Sequence, residues 1–231
     1  MSREYTRLSL NQRLQHIFMF VPFIILVFTG FPIKYPEVGF GTFIFSILGG
    51  IENARAIHRV AAAVMIIDFV FHVAYVLYNV IVNRLPLSKL YLLPNKKDAQ
   101  DIVKNLKYFL FLSDERPQFH RFSYIEKFDY WAVFWGMFIM AGSGIILWFP
   151  EEFTTIFPGI IIQIAYIAHS DEALLAFLAI IIWHFYNVHF NPRVWPANKV
   201  WYQGTLTEAE MEHEHPLELA EIKAEEEAEN E

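Results

Sequence analysis

The chain has 231 residues, of which 55% are hydrophobic and 17% aromatic, and its net charge is −7. The apolar residues are gathered into long blocks, a pattern that excludes a soluble globular domain of ordinary composition. Cysteine is absent, which excludes disulfides, cysteine-ligated iron–sulfur clusters and haem attachment through cysteine.

Four apolar blocks are each long enough to cross about 30 Å of hydrocarbon, which takes about 20 helical residues. They cover residues 14–33, 57–82, 129–149 and 162–190. We therefore predict an all-α integral membrane protein, a four-transmembrane-helix bundle within a domain of residues 1–206. Residues 207–231 are rich in glutamate and predict an acidic cytoplasmic tail, either solvated helix or disordered chain.

The segments between the predicted helices differ in character. The polar leader before the first helix has no cleavage site after its apolar run, so we expect it to be retained. The 83–128 loop is basic, with an amphipathic stretch near 98–112. In the third helix, AGSG at 141–144 predicts the close approach of a neighbouring helix.

The positive charges predict the orientation of the chain in the membrane. Of the 18 Lys and Arg residues, all but Lys34, Arg55 and Arg59 lie in the N-terminus, the 83–128 loop or the C-terminus. Because cytoplasmic segments carry the excess of such residues, both termini are predicted to face the cytoplasm.

Six histidines lie in or at the ends of the predicted helices, and none of them is in the third. They are His16, His58, His72, His169, His184 and His189. One intramembrane histidine is about as often a hydrogen-bonded packing residue as a functional one, but six indicate a shared role.

Predicted depth sorts four of these histidines into two pairs. With alternating helix directions, His58 and His169 both lie near the outer surface and can face each other. His184 lies about 22 Å further inward than His169, at a level that His16 can also reach. Two pairs of neutral imidazoles at two depths predict the axial ligands of two six-coordinate b-type haems.

The other two histidines have more than one interpretation. His72 points to roughly the same face of its helix as His58, so it could replace His16 as the inner ligand. The alternative is a polar contact from His72 to a haem propionate or a backbone carbonyl. His189 lies at the membrane interface, which favours contact with a propionate or a quinone. If both ligate iron, a third haem is implied.

Short motifs follow one another along almost the whole chain. They are R-x-x-H before an apolar run ending in T-G (Arg13, His16, Thr29, Gly30), a histidine opening the second helix, PNKKD at 94–98, FW and SGIILWFP within 134–150, HS and H-x-Y in the fourth helix, and GTLTEAEM followed by HP. In this order they resemble the membrane cytochrome b subunit (gamma) of respiratory formate dehydrogenases and, more distantly, the cytochrome b of nickel–iron hydrogenases.

The resemblance implies a four-helix bundle with two b haems and a menaquinone site near the inner haem. Carried over position by position, it implies His58 and His169 as ligands of the outer haem iron, and His16 and His184 as ligands of the inner one. It places the quinone around His184.

The chain departs from the family pattern in three places. Its fourth-helix histidines are 15 residues apart instead of 14, which turns His184 by about 100° unless a bulge or a bent helix start absorbs the extra residue. SYIEKFDYW replaces a polar stretch before the third helix, so the quinone-contacting residues there are not carried over. His72 and His189 stand where the family has apolar residues.

We therefore expect a di-haem b subunit that passes electrons between a periplasmic redox partner and the menaquinone pool of a prokaryotic cytoplasmic (inner) membrane. No motif for substrate chemistry is present, so it is not an enzyme by itself, and the partners are iron–sulfur or multihaem cytochrome and catalytic subunits. Lipid and quinone are further partners, and nucleic acid is not. Glu126, Asp129 and His189 are candidates for a proton route.

Two rival hypotheses use the same histidines. A metal or proton transporter would use them as a relay, but Asp68 is the only acid in the middle of a helix and the histidines cluster at two depths. A structural anchor would use them as interhelical hydrogen-bonding groups and would bind no cofactor. For PNKKD and GTLTEAEM, a lipid-binding loop and a capped surface helix are weighed equally with partner docking.

Overall fold

The computed structural model describes residues 3–192 and 194–230 and is predominantly helical. The last residue of the predicted tail, Glu231, lies outside these ranges. In chain order the described elements are β1 (Glu4–Thr6), α1 (Leu10–Lys34), α2 (Gly39–Leu48), α3 (Ile51–Ile81), a 3₁₀ turn (Leu87–Lys89), α4 (Lys96–Phe109), α5 (Tyr124–Trp148), α6 (Pro150–Ile156), α7 (Ile160–Leu178), two π-helical segments (Ala179–His184 and Tyr186–Phe190), α8 (Val200–Gln203), β2 (Thr205–Thr207), α9 (Glu208–Glu214) and α10 (Pro216–Asn230).

Four of these helices are long and apolar enough to cross a membrane, which confirms the predicted number of spans. They are α1, α3, α5 and the continuous helix Ile160–Phe190 that α7 forms with the π segments. The amphipathic stretch of the basic loop is helical as predicted and forms α4. The segments expected as outer loops contain two short helices, α2 and α6.

Polar caps start two of the spans before their apolar blocks begin. Ser9 Oγ accepts a hydrogen bond from the backbone N–H of Gln12, and Ser123 Oγ accepts one from that of Glu126. The Glu126 carboxylate in turn accepts from the backbone N–H of Ser123, which completes a capping box. Helices α1 and α5 therefore begin at Leu10 and Tyr124, several residues earlier than the hydropathy pattern predicts.

The chain divides into two compact units, each built from separate stretches of sequence. The bundle unit comprises Leu14–Tyr78 and Val133–Asn198, and the terminal unit comprises Met1–Arg13, Asn79–Ala132 and Lys199–Glu231.

Aromatic and small side chains bring neighbouring helices of the bundle unit together. Phe31 of α1 meets Phe177 of α7 edge-on at 5.2 Å between ring centroids, and Phe69 of α3 meets Phe138 of α5 at the same distance. At Gly136 of α5, a Cβ would lie 2.8 Å from the carboxylate of Glu172 in α7, so these two helices are in close contact.

The C-terminal segment is an integral part of the terminal unit. Strands β1 and β2 pair antiparallel, with Tyr5 opposite Leu206. Both residues are buried, and Met211 of α9 and Leu219 of α10 complete the cluster. Of the two alternatives expected for this segment, helix and not disorder is observed as far as Asn230, and the helices are not fully solvated because Met211 and Leu219 pack against the N-terminal strand.

Buried charges hold the terminal unit together across its separate stretches of sequence. Arg7 and Arg121 both form ion pairs with Glu218 of α10, and Arg121 donates to the carbonyl of Arg7 at 2.6 Å. Removing Glu218 would leave both guanidinium groups without this ion-pair partner, and for the buried Arg7 such a loss is strongly destabilising.

His215 is buried within this network. Its Nδ1 donates to the carbonyl of His120 at 2.8 Å, so its Nε2 accepts from Arg7 at 3.2 Å. Burial and the adjacent guanidinium lower the pKa of His215 to about 4, which keeps the ring neutral at physiological pH.

Candidate functional site

Four half-buried histidines of the bundle unit form two close pairs. His58 of α3 and His169 of α7 have ring centroids 6.3 Å apart. His16 of α1 and His184, at the end of the first π segment, have centroids 6.5 Å apart. The structure therefore brings together the same partners that predicted depth and the family resemblance matched.

The ring separations suit a metal held between two imidazoles. Opposite imidazoles on one metal would have centroids about 6 Å apart, since a metal–nitrogen bond is about 2 Å and the ring centre lies about 1 Å further. A direct N–H···N hydrogen bond between the rings of a pair would instead bring the centroids to about 5 Å.

A hydroxyl group sets the tautomer of each histidine in the first pair. Thr29 Oγ1 donates to the carbonyl of Ile25 at 2.7 Å and lies 2.9 Å from His58 Nδ1. Because its proton is already used, this oxygen accepts from Nδ1–H. In the neutral ring, the Nε2 atom of His58 is then unprotonated and carries the lone pair that ligation requires.

The same arrangement recurs on the other side of the pair. Ser143 Oγ of α5 donates to the carbonyl of Ile139 and lies 3.1 Å from His169 Nδ1. It therefore leaves the Nε2 of His169 unprotonated as well. The two rings face each other, and each is hydrogen-bonded through Nδ1 to a hydroxyl on a neighbouring helix, which defines the tautomer of the neutral form.

A glycine follows each hydroxyl residue and makes room for the histidine ring. A Cβ at Gly30 would lie 3.2 Å from Cε1 of His58, and a Cβ at Gly144 would lie 3.2 Å from Cε1 of His169. The close helix approach predicted from AGSG is confirmed at Gly144, whereas Gly142 has no such neighbour. The Thr-Gly and Ser-Gly dipeptides are the sequence signal for this arrangement, in which a hydroxyl and a glycine lie beside each histidine ring.

In the second pair, a buried nitrogen has no polar neighbour. The Nδ1 of His16 is buried and makes no hydrogen bond within the described part of the chain. A buried polar atom left in this state is costly unless a bound group or ion compensates for it. The donor set therefore fits a cofactor that contributes its own metal.

The π-helical segment explains how the 15-residue interval between the fourth-helix histidines is accommodated. The segment Ala179–His184 lies between His169 and His184, and the N–H of Phe185 bonds to the carbonyl of Ile180 five residues earlier. Since a π turn takes in one residue more than an α turn, it absorbs the extra residue. Of the two alternatives considered from the sequence, a bulge and a bent helix start, the structure has the bulge.

The remaining two histidines of the spans make contacts with residues outside the two pairs. His72 Nδ1 bonds to the side-chain oxygen of Gln15 at 2.7 Å, and the ring of His189 meets that of Phe185 edge-on at 5.3 Å. Among the proton-route candidates, Glu126 is engaged as a helix cap. No cluster of three or more His, Cys, Asp or Glu residues suited to a bare metal ion occurs within 3–192 and 194–230.

The chain matches a known protein family over most of its length. A family model described as prokaryotic cytochrome b561 matches residues 7–201. The chain belongs to the prokaryotic cytochrome b561 family. This confirms the resemblance to the membrane cytochrome b of the hydrogenase and formate dehydrogenase type. No curated protein matches the chain.

Membership of this family establishes the general role of the protein. Prokaryotic cytochrome b561 is a membrane electron-transfer protein with haem b as its cofactor, and it is not itself catalytic. Together with the four apolar helices, it indicates a location in the prokaryotic inner membrane.

Proposed function

We propose that this cytochrome b is a di-haem subunit that passes electrons between a periplasmic redox partner and menaquinone. The observation that carries the proposal is the occurrence of two histidine pairs with ring centroids 6.3 and 6.5 Å apart. In this proposal His58 and His169 hold the outer haem, and His16 and His184 hold the inner one. When bound, haem b supplies one-electron redox chemistry.

The chain's residues act by positioning in this proposal. Imidazoles from two histidines would hold each haem, which would supply electron transfer and not substrate chemistry. Thr29 and Ser143 fix the outer imidazoles in the ligating tautomer, while Gly30 and Gly144 let α1 and α5 approach them. The substrate chemistry then belongs to partner subunits, of the iron–sulfur, multihaem cytochrome or catalytic type.

We assign His72 and His189 to contacts with a quinone or a haem propionate, and not to iron. His72 Nδ1 is hydrogen-bonded to Gln15, the residue next to His16, whereas the ring of His16 is paired with that of His184. An imidazole and an amide at this level offer hydrogen-bonding groups of the kind that a quinone carbonyl needs. This assignment implies two haems per chain.

A haem assay combined with one substitution tests the proposal. The purified protein should contain two haems per chain by pyridine haemochrome assay. His184→Ala should lose the inner haem and halve this ratio, with the remaining b-type alpha band intact. His213→Ala, at an exposed position in the terminal unit, is the control and should retain both haems.

Other results would reject particular parts of the proposal. Three haems per chain would make His72 and His189 ligands. Retention of both haems in the His184→Ala variant would refute the pairing. A colourless protein that retains copper or zinc would favour the transporter hypothesis.

A further inference from the structure

Helix α4 is amphipathic, but its polar side faces the protein and its apolar side faces away. This is the reverse of a helix that packs on the core of a soluble protein. Asp98, Asp101 and Asn105 face the protein. Asp101 is buried and paired with Lys97, while Asp98 is paired with Lys127 of α5 at 2.9 Å. Asn105 donates to the hydroxyl of Tyr124 at 2.6 Å.

The apolar face of α4 points away from the protein. Leu106 is 56% exposed and Phe109 is 66% exposed, and the same face also carries Ile102, Val103 and Leu110, which are exposed as well. These positions recur at three- and four-residue intervals, so they form one continuous strip. The other side of α4 already makes polar contacts with the protein. The exposed apolar strip therefore indicates a binding surface.

The turn after α4 extends the apolar strip. Phe111 is 96% exposed and adopts a φ of 57°, a left-handed conformation usually taken by glycine at the end of a helix. The N–H of Leu112 closes this turn on the carbonyl of Lys107 at 2.8 Å. A bulky aromatic residue is thus held in a costly backbone conformation while its side chain makes little contact with the protein.

The polar contacts of α4 place it beside the entry of a membrane span. Tyr124 and Lys127, its partners, lie in the first turns of α5. Trp131, one turn further, donates to the carbonyl of Leu92 at 2.9 Å and fixes the linker before α4. Because α5 crosses the membrane, the strip on α4 lies where the bilayer surface begins.

We propose that α4 and residues 110–112 form an in-plane anchor that inserts its apolar strip into the bilayer leaflet at the start of α5. Charge favours lipid as the occupant. Lys96 and Lys107 are exposed and border one edge of the strip at 3.6 residues per turn, where they meet anionic lipid phosphates. Neither lysine forms an ion pair with any residue in the described ranges. This proposal rests on the membrane-spanning fold and not on the number of haems.

The cysteine-free chain permits a direct test of insertion. Single spin labels are placed at Leu106→Cys and, as a matched control on the opposite and exposed side of α4, at Lys104→Cys. Each full-length variant is reconstituted into phosphatidylcholine vesicles containing phosphatidylglycerol. Accessibility is then measured to oxygen, which concentrates in hydrocarbon, and to a water-soluble nickel chelate.

We expect the ratio of oxygen to nickel accessibility to be several-fold higher for Leu106→Cys than for Lys104→Cys. Equal ratios would overturn the proposal and leave a protein partner as the occupant of the strip. Low accessibility of the Leu106 label to both reagents would also overturn it, because the strip would then be covered by the chain. A Phe111→Cys label serves as a second probe if the first substitution disturbs folding, and the same outcomes apply to it.

Discussion

Thr29 and Ser143 occupy equivalent positions beside His58 and His169, although they lie on different helices. Each hydroxyl bonds back to a carbonyl four residues earlier and so can only accept from the histidine. An isolated neutral histidine can adopt either tautomer, whereas the hydroxyl acceptor allows each of these two only the Nδ1–H form. At the scale of single residues, the nitrogen that would ligate the proposed haem is thus selected by a side chain that would not touch the metal.

Removing these hydroxyls should loosen the outer haem without affecting the inner one. In Thr29→Val and Ser143→Ala, the histidine Nδ1–H loses its acceptor, and we expect haem affinity at this site to fall by about 10- to 100-fold. Haem transfer to apomyoglobin and redox titration of each haem would measure the change. Thr42→Val, whose hydroxyl bonds only to the carbonyl of Gly39, is the control. An unchanged outer haem in both variants would contradict the role of the hydroxyls.

Glu214 gives the terminal unit a dependence on pH. Burial, with help from nearby Glu126 and Glu210, raises the pKa of Glu214 from 4.5 to about 7. The folded protein therefore holds a proton that the unfolded chain releases. The resulting stabilisation is complete below about pH 4.5 and is lost as the pH rises through about 7.

Glu214→Gln should therefore stabilise the protein more at pH 8 than at pH 5. The neutral amide avoids the buried charge, and we expect a gain of about 1–2 kcal/mol at pH 8, after allowing for solvent screening. Thermal unfolding in detergent at the two pH values would measure it. Glu225→Gln, at an exposed position, should show no such difference. An equal gain for Glu214→Gln at both pH values would rule out titration of this carboxyl as the cause.

At the scale of elements, the helix Ile160–Phe190 changes from α-helical to π-helical between His169 and His184, its two candidate ligands. The change follows from the length of the interval between His169 and His184, which does not fit whole α-helical turns. A π turn costs some hydrogen-bond quality, but it keeps both rings directed into the bundle. The neighbouring helices α1 and α3, which carry His16 and His58, fix where those rings must point.

Shortening this interval should preserve the inner haem. Deletion of Ile181 removes the surplus residue, so the segment can wind as a regular α-helix with His184 still in register. Insertion of one alanine after Ile181 instead rotates His184 by about 100° and should abolish the inner haem. The haem-to-protein ratio of the two variants decides between these outcomes. Loss of the haem in the deletion variant as well would show that the π turn is needed for another reason.

At the scale of the whole molecule, apolar spans and charged segments are separated along the chain. The basic loop and both terminal segments belong to one unit, and the four histidines of the two pairs belong to the other. The N-terminal strand, the loop and the C-terminal helices are joined by Arg7, Arg121 and Glu218, so these segments share one side of the membrane.

Reporter fusions should place that side in the cytoplasm. The positive charges predict that green fluorescent protein at the C-terminus is fluorescent and that alkaline phosphatase at the same point is inactive. A phosphatase inserted after Glu37, between α1 and α2, is the matched control and should be active. The reverse pattern would invert the orientation and exchange the proposed outer and inner haems.

Parts of the structure could be predicted from local sequence features. Four spans follow from the length of the apolar blocks, and α4 follows from its periodicity. The capping of α9 by Thr207 and Glu210 could be read from GTLTEAEM. By contrast, the ribbon of β1 and β2 could not, because its three-residue strands lie about 200 positions apart and carry no strong pattern of their own.

The sequence by itself determined the number of spans and which four histidines form the two pairs, because hydropathy and helical rise act locally along the chain. Only the tertiary structure decided that a π turn absorbs the extra residue, that Thr29 and Ser143 set the tautomers, and that the glutamate-rich segment packs through Met211 and Leu219. These features depend on which helices and strands become neighbours, and contacts between distant residues fix that choice.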